Sequence, residues 1–356
     1  MKLKAETQQK EAVIEPNQGS NSHSELTEDQ ILNLLKKLAA LQTEVQKVII
    51  GQQEAIQQML VAFLAGGHCL IEGVPGLAKT LMIRTLADAV HLSFHRIQFT
   101  PDLMPSDIVG TEILEEDHAT GKRFFKFNRG PVFANILLAD EINRTPPKTQ
   151  SALLEAMQEF AVTYGGETYA LDRPFFVLAT QNPIEQAGTY PLPEAQLDRF
   201  LLKVCIDYPE QKDELEVLSS TTGRYEPKVQ PVITADEILQ AQGVVREVAI
   251  SDPLLRYVNR FVRASRPAMS EIPFVQDWVR WGAGPRAGQA IILTAKARAL
   301  LNERFAVTLA DLQTMALPVL RHRVLVNFKA EAQGIESDAI TEKLLTEVPE
   351  PKSPLD

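Results

Sequence analysis

The sequence predicts an α/β fold, with a five-stranded parallel sheet covered by helices on both faces and an all-helical domain behind it. Three observations predict it. Short runs that are apolar throughout alternate with amphipathic helical segments over residues 27–208, and strands buried on both faces belong to parallel sheets. One of these runs ends in a glycine-rich turn, Gly73-Val74-Pro75-Gly76-Leu77-Ala78-Lys79-Thr80, that opens a helix. After Tyr208-Pro209 the strand-like runs stop, and apolar spacing is helical to about Leu345.

The first 26 residues are rich in Gln, Glu, Asn and Ser and read as a disordered leader. They lack the apolar core of a secretory signal, so a cytoplasmic location is expected. Thr27-Glu28-Asp29-Gln30 is a capping box, and Leu34, Leu35, Leu38, Leu41 and Val45 follow at helical spacing. A second helix is expected over Gln53–Leu64 and is ended by Gly66-Gly67. Strands are expected at His68–Ile71, Phe94–Phe99, Ala134–Ala139, Phe175–Thr180 and Phe200–Ile206.

Two stretches interrupt the alternation. Asp107–Phe127, inside an insert of about 101–130, has β-type runs on either side of Asp117-His118-Ala119-Thr120-Gly121, and Tyr164-Gly165-Gly166-Glu167 marks a second hairpin within about 161–173. Residues 209–346 form the expected all-α domain, with helices at Ile238–Val248, Leu254–Ala264, Pro285–Arg304 and Leu309–Val324. The Pro-rich tail, 347–356, is expected to be disordered.

Composition narrows the function. The 356 residues are 45% hydrophobic and 23% charged, which suits a globular chain with a sizeable core. No apolar run approaches the roughly 20 residues of a membrane span. The net charge of −10 argues against a nucleic-acid partner. The two cysteines, Cys69 and Cys205, lie in apolar runs and read as small core residues. The six histidines show no ligand spacing.

The glycine-rich turn follows a strand and opens a helix, which is the context a phosphate-binding loop needs. Backbone N–H groups in such a turn surround phosphate oxygens, and the helix N-terminus adds its positive dipole. Lys79 would reach the β- and γ-phosphates of ATP or ADP, and the Thr80 hydroxyl would ligate Mg²⁺. Ala78 stands where the general pattern has glycine. The second half of the site is the buried run Ile136–Ala139, which ends in Asp140-Glu141. Carboxylates at the C-terminal edge of a parallel sheet lie where ligands bind. Asp140 would hold Mg²⁺, directly or through water, and Glu141 would orient and deprotonate the attacking water.

With both elements placed, the chain resembles the ring-forming AAA+ proteins, and among them the MoxR family, over roughly Glu44–Val326. The resemblance is carried by Val48-Ile49-Ile50-Gly51-Gln52, the phosphate loop, Leu138-Ala139-Asp140-Glu141-Ile142-Asn143-Arg144, Ala179-Thr180-Gln181-Asn182-Pro183, Leu192–Phe200 and Gly284-Pro285-Arg286-Ala287. It implies that Ile49, Ile50 and Gly51 flank adenine, that Leu81 continues the nucleotide-binding segment, and that Asn182 is the first sensor, which helps position the water. Arg199 resembles the arginine finger that reaches the γ-phosphate of the neighbouring subunit, with Arg144 as a second candidate. Arg286 resembles the second sensor, which ties the lid to the nucleotide of its own subunit. Gln98 would couple Glu141 to ligand state. The two hairpins resemble the helix-2 insert and the pre-sensor-1 hairpin of the clade that includes magnesium-chelatase motors.

The implied function is a Mg²⁺-dependent ATPase that assembles into a ring, a hexamer in this reading, and remodels or matures client proteins beside a separate von Willebrand factor A-domain partner. The client is not legible in the sequence. A nucleic-acid motor is the first alternative, but Lys122, Arg123 and Lys126 in the insert face Glu112, Glu115, Glu116 and Asp117 and leave it without a basic balance. A nucleotide-gated module with little turnover is the second alternative, and the presence of Glu141 and Arg199 argues against it. Leu320-Arg321-His322-Arg323 is expected on a solvated or inter-subunit face.

Overall fold

The computed structural model describes residues 26–116, 121–182, 188–223 and 227–351. The expected leader up to residue 25, the centre of the first hairpin turn at 117–120, Pro183 and the last five residues lie outside them.

Helices α1 (Glu28–Gln46) and α2 (Gln53–Leu64) precede strand β1 (Cys69–Gly73) and helix α3 (Lys79–Val90). The Thr27 capping box forms as expected, with Thr27 N donating to Gln30 Oε1 and Gln30 N to Thr27 Oγ1. Then come β2 (Phe94–Gln98), α4 (Pro105–Val109), the hairpin β3 (Gly110–Glu116) and β4 (Arg123–Arg129), β5 (Ile136–Asp140) and α5 (Pro147–Glu159). A second hairpin, β6 (Ala161–Tyr164) and β7 (Glu167–Ala170), leads to β8 (Phe176–Gln181), the short helix α6 (Glu194–Leu197) and β9 (Leu202–Ile206).

Five strands pair in parallel in the order β2-β5-β8-β1-β9. Successive side chains of a strand point to opposite faces, and the core divides accordingly. Cys69, Ile71, Leu138, Leu178 and Val204 join the cluster beneath α1, α2 and α3, while Leu70, Leu137, Ala139, Val177 and Ala179 join the one beneath α4 and α5. The hairpins pack on each other through Phe127, whose ring centroid lies 5.0 Å from that of Tyr164 and 4.6 Å from that of Tyr169.

After β9 the described chain is mainly helical: α7 (Gln211–Thr221), α8 (Ala235–Glu247), α9 (Asp252–Ala264), α10 (Pro273–Trp278), α11 (Pro285–Leu301), α12 (Leu309–Leu320), α13 (Phe328–Glu331) and α14 (Ser337–Glu347). A two-stranded ribbon, β10 (Val279–Trp281) with β11 (Leu325–Val326), is added to this region; the strands are too short to give a period-2 signal. Residues 347–351 are held in place, against the expectation of a tail that is disordered from 347. Val348 is buried, Arg260 donates to the Pro349 carbonyl, and Gln313 donates to Glu350. Cys69 is buried as expected, but Cys205 is exposed, because it lies on an outward-facing position of the edge strand β9. No helix among the described residues is long and apolar enough to cross a membrane.

Candidate functional site

The phosphate loop leaves β1 at Gly73. A Cβ there would fall 2.7 Å from the Ile206 carbonyl oxygen, so only glycine allows the ends of β1 and β9 to close together. Gly76 turns the chain at φ +89. Ala78 follows at φ 55, ψ 21, a left-handed conformation that costs an L-residue roughly 1–2 kcal/mol and explains why the general pattern has glycine here. Leu77 packs on the core, Val74 is half-buried and Pro75 is exposed. Lys79 and Thr80 then begin α3. The Lys79 ammonium donates to the Gly73 carbonyl at 2.6 Å. Partial burial lowers its pKa from the usual lysine value, and the charges of Asp140 and Glu141 oppose that shift.

Beside α3 a cavity of about 1020 Å³ is lined by Val48, Ile50, Leu81, Arg84, Thr85 and residues of α7. Ile50 and Leu81 therefore face a space that could take a base. Ile49 instead packs into the core, and Gly51, at φ +75, lies where a Cβ would meet Asp213 at 2.7 Å.

Asp140 ends β5, next to β8 in the sheet. Thr180 Oγ1 donates to Asp140 Oδ1 at 2.6 Å and accepts from the Glu141 N–H at 2.9 Å, so one hydroxyl fixes both acids. Glu141 is itself left-handed, at φ 57, ψ 50, which turns its side chain off the strand line. Its Oε2 accepts from Gln98 Nε2 at 2.8 Å and lies 3.2 Å from Arg144 Nε. The coupling expected of Gln98 thus has a direct contact behind it. Arg96 grips the other side of Asp140, with Nε at 3.1 Å and Nη2 at 2.6 Å from Oδ2. Asn182 follows β8, between β5 and β1, and is buried. The C-terminal sheet edge therefore carries the phosphate loop, Asp140, Glu141 and Asn182 on adjacent strands.

Among the described residues no group of three or more His, Cys, Asp or Glu could cage a metal. Mg²⁺ in phosphate chemistry needs no cage: one or two protein oxygens, the phosphates and water complete its octahedron. Asp140 and the Thr80 hydroxyl are a donor set of that kind.

Arg199 and Arg286 lie elsewhere. Leu201 N donates to the His68 carbonyl at 2.8 Å, so residues 198–201 sit where β1 begins, at the N-terminal edge of the sheet. A strand of five residues, roughly 13 Å or more, separates them from the phosphate loop. Arg199 and Arg286 line a 290 Å³ cavity together with Arg246 and Gln289. Arg286 Nη1 lies 3.6 Å from Asp198 Oδ2. Asp198 Oδ1 accepts from Arg323 Nε at 2.7 Å, and Arg323 also donates to the carbonyls of Val319 at 2.7 Å, Phe200 at 2.7 Å and Leu201 at 3.1 Å. His322 contacts the Phe200 carbonyl at 3.0 Å, and Arg321 pairs with Asp338 at 2.8 Å. The 320–323 stretch is thus an internal strut between α12 and the Arg199 turn, with Arg323 and His322 buried, and not a solvated or inter-subunit face.

Sequence reasoning missed Arg96, Thr180 and the Asp198–Arg323 pair. An available signal for Arg96 was a charged residue two positions before Gln98 on a strand, hence on the same face. Thr180 stood inside a quoted motif as a lone hydroxyl in an apolar run. The ion pair joins residues 125 apart, and nothing local announces it.

Comparison with known proteins agrees with this geometry. The ATPase family associated with various cellular activities (AAA) matches residues 68–202, and the AAA lid domain matches residues 275–344. The chaperone MoxR1 of Mycobacterium tuberculosis is 44% identical over 310 residues, covering 87% of this chain and 81% of that protein. The MoxR protein of Paracoccus denitrificans is 28% identical, covering 79% and 86% respectively. A crystal structure of a protein assigned as an ATPase from Cytophaga hutchinsonii superposes with a TM-score of 0.84 at 44% identity, covering 90% of this chain and 97% of that one. With its two halves of a nucleotide site on one sheet edge and matches that span core and lid, the chain belongs to the MoxR family of AAA+ ATPases.

Proposed function

We propose that the chain is a Mg²⁺-dependent ATPase whose site is completed between subunits of a ring, a hexamer in this reading, and that it spends hydrolysis on remodelling client proteins in the cytoplasm. The observation that carries the proposal is the separation of the two sheet edges. The loop, Asp140, Glu141 and Asn182 share one edge, while Arg199 stands a strand's length away, half-buried and without an ion pair among the described residues. A guanidinium there supports action on a neighbour's γ-phosphate. Arg286, paired with the residue next to Arg199, is assigned to the same inter-subunit role, as a ligand of the neighbour's nucleotide and not of its own.

In this reading the loop amides and Lys79 bind the phosphates, and Ile50 and Leu81 flank the base. Thr80 and Asp140 would hold the metal, which would supply positive charge to offset that of the phosphates. Asn182 orients a water, and Glu141 takes its proton as the water oxygen attacks the γ-phosphorus and the bond to the bridging oxygen breaks. Arg199 of the adjacent chain stabilises the charge that develops.

The chaperone name of the tuberculosis relative supports client remodelling, and the MoxR resemblance points to a von Willebrand factor A-domain protein as the separate partner. The test is nucleotide binding and turnover by Lys79→Ala, which should stay folded and lose ATP binding. Retained micromolar ATP affinity in calorimetry overturns the site.

A further inference from the structure

Arg96 has no role in the reaction as set out above, yet it touches Asp140 directly and is linked to Glu141 through Gln98. It stands on β2 opposite Leu138, so its long side chain reaches diagonally to Asp140, two residues further along β5. The same Nη2 that meets Asp140 Oδ2 at 2.6 Å also donates to Gln98 Oε1 at 2.7 Å. That contact leaves the Gln98 amide one orientation. Its oxygen faces the guanidinium, so its NH₂ faces outward and donates to Glu141 Oε2 at 2.8 Å. With the amide reversed, two donors would oppose each other at Arg96.

We propose that Arg96 is a positioning residue that competes with Mg²⁺ for Asp140, so that arrival of the metal unlocks Glu141. The inference rests on the ATPase reading above. Asp140 Oδ2 cannot serve a guanidinium fork and a divalent cation at once, and the two positive charges repel. When Arg96 leaves, Gln98 Oε1 loses its donor and the amide is free to turn. Glu141 then keeps only Arg144 of its two partners, and its carboxylate is open to water. The device would keep the base engaged until the metal is in place. Arg96 suits a mobile role, because its side chain is 48% exposed while that of Asp140 is 13% exposed.

The test is Mg²⁺ titration of a fluorescent ATP analogue bound to the full chain, with Arg96→Met beside wild type. Arg96→Met should lower the Mg²⁺ midpoint about three- to tenfold, the range expected from removing a partly exposed charge-assisted pair. Its affinity for the analogue in EDTA should stay within about twofold of wild type. The shift should persist at about 0.5 M KCl, where longer-range charge effects are screened. Gln98→Leu leaves Arg96 on Asp140 and should leave the midpoint unchanged. An unchanged or raised midpoint in Arg96→Met overturns the proposal, and so does loss of EDTA affinity, which would make Arg96 a phosphate ligand. A crystal structure with Mg²⁺ and a non-hydrolysable ATP should show Arg96 off Oδ2 and the Gln98–Glu141 bond broken; Arg96 still on Oδ2 beside the metal overturns it. Wild type that binds no nucleotide overturns this inference and the ATPase reading together.

Discussion

At the C-terminal edge of the sheet the charged groups meet one another through side chains that are partly open to solvent. Arg96, Gln98, Asp140, Glu141 and Arg144 form one chain of contacts between 2.6 and 3.2 Å. At the N-terminal edge Arg323 is buried and is tied chiefly to backbone carbonyls, and through Asp198 it fixes the turn that bears Arg199. Contacts between side chains partly open to solvent can be exchanged for a ligand more cheaply than a buried guanidinium on backbone oxygens. The first edge is thus suited to change partners when nucleotide and metal arrive. The second is suited to hold one residue still and present it outward.

The account predicts the largest effect at the rigid edge. Arg199→Ala should lower kcat by about 10³–10⁵-fold, as arginine fingers do, with ATP affinity retained in calorimetry. A loss below tenfold would demote Arg199 to a surface residue and move attention to Arg144. At the exchangeable edge, Glu141→Gln should lower kcat by about 10²–10⁴-fold, the usual contribution of a general base, while still binding ATP; normal single-turnover rates would place the base elsewhere.

Stability separates the edges in the same sense. Asp198→Ala leaves Arg323 buried without its carboxylate, which should cost about 3 kcal/mol in chemical denaturation. Arg96→Met should cost less than about 1 kcal/mol. Equal losses would contradict the contrast between the two edges.

His68 adds a pH signature to the N-terminal edge. Burial pushes its pKa down to about 4, opposed by its contact with the Met157 carbonyl, and Val177 N donates to its Nδ1 at 3.1 Å. As pH falls below the ordinary value of 6.5, the unfolded chain takes up the proton and the folded chain does not. The contribution, on the order of 3 kcal/mol, is present above pH 6.5 and lost on descending to about pH 4. His68→Gln should flatten the stability curve across that window, and an unchanged slope would show that other groups set it. The smallest effect belongs to Ala78→Gly. Relief of the left-handed strain is offset by the greater freedom of glycine in the unfolded chain, so stability should move by less than about 1 kcal/mol and ATP should still bind.

The same contrast explains what could be read from the sequence. The phosphate loop, Asp140-Glu141 and Asn182 are contiguous motifs at strand ends, and the apolar alternation that places those strands is local, so the fold and this edge were legible. The left-handed φ of Ala78 was foreshadowed by the missing glycine. The rigid edge is assembled from residues 66–68, 198–201, 286 and 319–323, and no periodicity joins them. Arg199 was nameable by resemblance, but Arg323, which holds it, looked like surface because a buried arginine carries no sequence mark until its partner is known. Arg286 is likewise read only by resemblance, and the sequence did not show that it would stand beside Asp198 and Arg199.

The measurement that bears most directly on a site shared between chains is complementation. Lys79→Ala and Arg199→Ala should each be inactive alone. Mixed in equal amounts and allowed to exchange subunits, they should regain ATPase activity, because some interfaces then join an intact Lys79 from one chain to an intact Arg199 from the next. Activity no greater than the sum of the separate variants, in mixtures shown to have exchanged subunits, would contradict a site completed between chains.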